Sequence, residues 1–76
     1  MTELEKTLLR FLASRNDGEY KEGFLRVDFM REKQLADKVD QDRVMDAINN
    51  CIEKGYIGHD ESLHLYYLTK LGRSQI

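Results

Sequence analysis

Asp40-Gln-Asp-Arg-Val-Met-Asp-Ala-Ile-Asn-Asn-Cys-Ile-Glu-Lys-Gly-Tyr-Ile57, followed by Leu65-Tyr-Tyr-Leu-Thr-Lys-Leu-Gly-Arg73, decides the reading of this chain. Val44, Ala47, Ile48, Cys51 and Ile52 recur at steps of three and four, the spacing of one buried helix face. Asp40 supplies a side-chain oxygen for the N-cap, and Gly55 supplies the left-handed residue that ends the helix. After it, Tyr56-Ile57 and Leu63 to Leu68 read as strands. Gly58-His59-Asp60-Glu61-Ser62 between them reads as a tight hairpin turn. Thr69 then starts a turn that carries Leu71 back to the core.

Upstream, Leu4, Leu8, Leu9, Phe11 and Leu12 alternate with charged residues at helical spacing, which predicts a helix from about Thr2 to about Ser14. Thr2 is its cap, with Glu3 and Glu5 at the positive end of the dipole. Asn16-Asp17-Gly18 favours left-handed backbone and stops it. Between Tyr20 and Phe29 the apolar residues fit a strand or the approach to a helix. The reading adopted is an extended piece ending at Asp28, which caps a second helix through Lys38 with Met30, Leu35 and Ala36 on its buried face.

Seventy-six residues make a single domain, 1–76. A chain of that size buries about 60 to 65% of its unfolded surface, so its core must be economical. One cysteine permits no internal disulfide. The amphipathic start is unlike a signal peptide, and no apolar run is long enough to span a membrane, so a cytoplasmic protein is expected. Twelve basic against 14 acidic side chains leave a net charge of −2, which weakens any nonspecific attraction to nucleic acid.

The helix, its glycine exit and the hairpin resemble the second half of a winged helix-turn-helix domain of the bacterial regulator type. Val44, Ala47-Ile48, Ile52 and Gly55-Tyr56-Ile57 carry the likeness, with Tyr67-Leu68-Thr69 and Gly72-Arg73 after the wing. The resemblance implies an α+β fold: a three-helix bundle with a small antiparallel β-hairpin wing. Leu35-Ala36 stand closer to Val39 than the common helix-turn-helix places its Leu-Ala pair, which implies a shortened or shifted second helix or turn.

By the same resemblance the third helix would be a recognition helix. Gln41, Arg43, Asn49 and Asn50 are its candidates for base edges in double-stranded DNA, and Arg26, Arg31, Lys33 and Lys38 are the candidates for phosphates. The implied function is a DNA-binding transcription regulator, acting as a homodimer because a palindromic site needs two such readers. Asp40, Asp42, Asp46 and Glu53 outnumber Arg43 and Lys54 on that helix, and His59 to Ser62 at the wing tip carry no arginine or lysine. The alternative is therefore a protein-interaction module on the same scaffold, whose contact surface is the acidic third helix with Leu63 or Leu65 and Tyr66 or Tyr67 of the hairpin.

Catalytic patterns are missing: no glycine-rich phosphate loop, serine elbow or convergent carboxylate pair is legible, so no enzyme is expected. His59, Asp60, Glu61 and His64 are metal-binding types, but the spacing of the histidines on a hairpin favours a polar turn over a metal site. No cofactor is expected. Cys51, on the inward face, reads as a buried structural thiol.

Overall fold

The computed structural model describes residues 1–76, the side chain of Asn16 aside. The fold is α+β, with four helices and a three-stranded antiparallel sheet. Helix α1 spans Glu3–Ala13, strand β1 Glu19–Lys21, helix α2 Leu25–Glu32 and helix α3 Lys38–Glu53. Strands β2, Ile57–Asp60, and β3, Leu65–Leu68, then precede a short helix α4, Lys70–Arg73. Strand β3 lies in the middle of the sheet, in the order β1-β3-β2.

The first helix begins as its sequence dictates. Thr2 Oγ1 accepts the Glu5 N–H, and Glu5 Oε1 accepts the Thr2 N–H, so the two satisfy each other's free groups. Leu8, Leu9, Phe11 and Leu12 are buried against Val44, Ala47, Ile48 and Cys51 of α3 in one cluster. Asp17 and Gly18 take positive φ after the helix and turn the chain into β1.

The second helix starts earlier than the sequence suggests. Asp28 lies inside α2, and Phe24 occupies the cap position without a side-chain cap bond. Two contacts decide this. Leu25 and Phe29, four residues apart, both reach full burial only if the helix already runs through them, and Phe29 packs edge-on against Phe11 at 5.4 Å. Asp28 meanwhile accepts a hydrogen bond from the Tyr20 hydroxyl, a partner eight residues away. Met30 is buried as expected, but Leu35 is only half-buried and Ala36 is exposed, because both fall in the connection after α2. That connection turns at Gln34, φ 57°, and the Leu35 N–H closes it on Met30 O.

The cap of α3 is also displaced. Asp37 accepts the Asp40 N–H at 2.8 Å, so Asp37 is the N-cap and Asp40 sits in the first turn. The other end matches its local chemistry: Gly55 has φ 82°, and the Tyr56 N–H returns to Cys51 O. Gly58, His59 and Asp60, expected in the turn, continue β2 and pair with Tyr67, Tyr66 and Leu65. Leu63 lies in the turn, not in β3. Thr69 does begin a turn, capping α4 through the Gly72 N–H, but Leu71 stays half in solvent at 50% exposure. Gly72 is the buried residue there; a Cβ on it would lie 2.2 Å from Tyr56 O.

Candidate functional site

Helix α3 has three kinds of surface. Val44, Ala47, Ile48 and Cys51 face the core. At 3.6 residues per turn the opposite line is Asp42, Asp46, Asn49 and Glu53, and all four are exposed. The helix thus turns its carboxylates outward, where a groove-reading helix would need positive or neutral groups.

The proposed base-contacting residues divide among these surfaces. Asn49 lies on the outward line. Gln41 falls on one flank with the half-buried Met45 and Ile52. Arg43 and Asn50 fall on the other flank, where they line a cleft of about 330 Å³ against the start of α1 with Thr2, Glu3, Leu4 and Asp46. Gln41, Arg43, Asn49 and Asn50 are all exposed, but no single side of α3 presents them together.

At the floor of that cleft Glu5 is 2% exposed. Burial alone would raise its pKa. The Thr2 N–H, the Lys54 ammonium 3.8 Å away and Asn50 outweigh it and hold the carboxyl below its usual range. Nearby, burial and the Glu5 charge push the Cys51 thiol up to about 11, against the opposing charge of Lys54. The thiol is accordingly protonated and inert at neutral pH.

The cations suggested for phosphates are largely engaged with their own neighbours. Arg31 lies 3.6 Å from Asp28, Lys33 lies 4.0 Å from Glu32, and Arg26 points along α2 to Met30 Sδ at 3.6 Å. Lys38, the first residue of α3, is exposed. Glu32 is shared with Arg15, whose guanidinium also covers the Phe11 ring at 4.9 Å.

The hairpin residues separate by strand parity. Tyr66 faces the same side as its partners Tyr20 and His59, and both tyrosines pack on the core. Leu65 and Tyr67 face the other way, with the Tyr67 ring laid across Gly58 so closely that a Cβ there would clash with it. Leu63 is 65% exposed in the turn and shares a shallow cleft with Phe24, itself 55% exposed, and with His64 and Glu22. Tyr66 therefore leaves the outer surface, and Phe24 joins it. Nothing in the sequence marked Phe24 as a surface residue, because its apolar neighbours suited a buried element equally well.

The two histidines come together at Glu22. Glu22 Oε2 lies 2.8 Å from His59 Nε2 and 3.7 Å from His64 Nδ1. Register explains it: Lys21 pairs with Leu65, so the residue after β1 reaches the turn before β3, and the Glu22 N–H donates to His64 O at 2.8 Å. Among the described residues no group of three or more His, Cys, Asp or Glu side chains has an arrangement able to hold a metal ion. No helix is long and apolar enough to cross a membrane. Comparison with protein-family models, with curated proteins and with solved structures finds no match to this chain.

Proposed function

We propose that this chain is a winged-helix domain whose third helix meets a protein partner. The scaffold reading is supported by the order helix, strand, helix, helix, strand, strand, and by a sheet in which the last strand lies between the other two. In that reading α2 and α3 form the helix-turn-helix and the β2–β3 hairpin is the wing.

The choice of partner rests on one observation, the exposed line of Asp42, Asp46, Asn49 and Glu53 along α3. Three carboxylates on the side a recognition helix would bring to DNA repel phosphates, while they suit a basic protein surface. The transcription-regulator reading, with Gln41, Arg43, Asn49 and Asn50 on bases, would need those residues on one side of the helix. Their division among three sides weighs against it.

Affinity capture tests the proposal. The full chain and an Asp42→Asn, Asp46→Asn, Glu53→Gln variant are immobilised and exposed to cell extract before and after nuclease treatment. Proteins retained by the first and lost by the second are the expected result. Identical proteins on both, or capture that vanishes on nuclease treatment, would overturn it.

A further inference from the structure

We propose that Glu22, His59 and His64 form a proton-sensitive clasp that holds the β2–β3 hairpin to the β1–α2 connection, tightening as pH falls through the histidine range. The proposal is independent of which partner α3 meets.

The geometry carries it. A single carboxylate oxygen, Glu22 Oε2, faces both imidazoles, at 2.8 Å from His59 Nε2 and 3.7 Å from His64 Nδ1. The backbone fixes all three positions: the Glu22 N–H is bonded to His64 O, His64 occupies a turn at φ 54°, and His59 is paired with Tyr66 in the sheet. The His59 ring also lies over the Tyr66 ring, with centroids 4.8 Å apart, so it is held facing Glu22. The His59 contact joins residues 37 apart in the chain.

With neutral imidazoles the link is one hydrogen bond to the Glu22 carboxylate. Once they are protonated, two cations address that one anion and an ion pair is added to the bond. The His59 bond, with the charge on both rings, already holds the Glu22 carboxyl below its usual range, so it stays ionised while the histidines gain their protons. The clasp strengthens as the imidazoles gain protons, and it is lost only when Glu22 itself is protonated at still lower pH. Other charged or titratable groups at this place are Lys21, Tyr66 and Asp60. Asp60 is occupied by Ser62 Oγ and the Leu63 N–H.

Amide hydrogen exchange followed by NMR tests the clasp on the intact chain. Protection of the Glu22 and hairpin amides, corrected for intrinsic rates, should rise about 2- to 5-fold from about pH 7.5 to about pH 5.5, the range expected of an exposed ion pair. Amides of α1 should show no such rise. Glu22→Gln should flatten the pH response, and so should His59→Gln with His64→Gln while Glu22 is kept. A flat response in the native chain would overturn the clasp. So would a rise that survives in either variant.

Discussion

The seam between α1 and α3 and the junction of β1, α2 and the hairpin hold the same chain together by different means. At the seam, Leu8, Leu9, Leu12, Val44 and Cys51 are essentially removed from water, and the one buried charge, Glu5, is answered by a capping bond and by Lys54. Across the junction the elements are short, three residues in β1 and eight in α2. They are tied by side-chain links instead: Tyr20 to Asp28, Arg15 to Glu32 and Glu22 to His59. Burial of apolar surface is worth roughly 25 cal/mol per Å² and is indifferent to pH, whereas half-exposed polar links contribute far less and respond to protons and salt. One side is therefore a fixed platform for α3, and the other is the adjustable side.

The contrast sets an order of expected effects. Leu8→Ala, at a fully buried position of the seam, should cost about 2 to 5 kcal/mol in urea unfolding, a large share of the roughly 5 to 15 kcal/mol available to a natural domain. A cost below about 1 kcal/mol would mean that the seam is not the platform. Gly72→Ala comes next. Its new Cβ would meet the Tyr56 carbonyl oxygen at 2.2 Å, a backbone atom that cannot swing aside, so α4 must shift, at about 1 to 3 kcal/mol by the same assay.

Tyr20→Phe, on the adjustable side, should cost only about 1 kcal/mol near neutral pH. Its pH dependence is more telling. The bond to Asp28, with burial, raises the Tyr20 pKa, so the tyrosine contributes stability that is complete below its ordinary value and lost as pH climbs through the raised one. Unfolding measured at increasing alkaline pH should show that decline in the native chain, and Tyr20→Phe should remove this contribution. A Tyr20→Phe cost equal to that of Leu8→Ala would erase the distinction between the two sides.

What the sequence revealed follows the same division. The end of α3 was legible because Gly55 and the run of Val44, Ala47, Ile48 and Cys51 are local signals that agree. Its beginning was misplaced by three residues because Asp37 and Asp40 are equally good cap types, and it is Asp37 that accepts the first-turn N–H. Helix α2 was misplaced because Phe24, Leu25, Val27 and Phe29 satisfy either period, and the apparent cap at Asp28 serves Tyr20 instead. The acidic balance of α3 could be counted in the sequence. Its concentration on the outward line needed only the helical phase. The meeting of Glu22 with His59 and His64 was hidden, since it depends on how β1 registers against β3.

The outward face of α3, as proposed above, meets a protein and not nucleic acid. Fluorescence anisotropy of a labelled random-sequence duplex, titrated with the purified chain at low salt and again as salt is raised, tests it most directly. No binding is expected up to millimolar protein at the lowest salt. Submillimolar binding that weakens steeply with salt, and that Arg43→Ala or Lys38→Ala reduces, would contradict it and return α3 to the role of a DNA-reading helix.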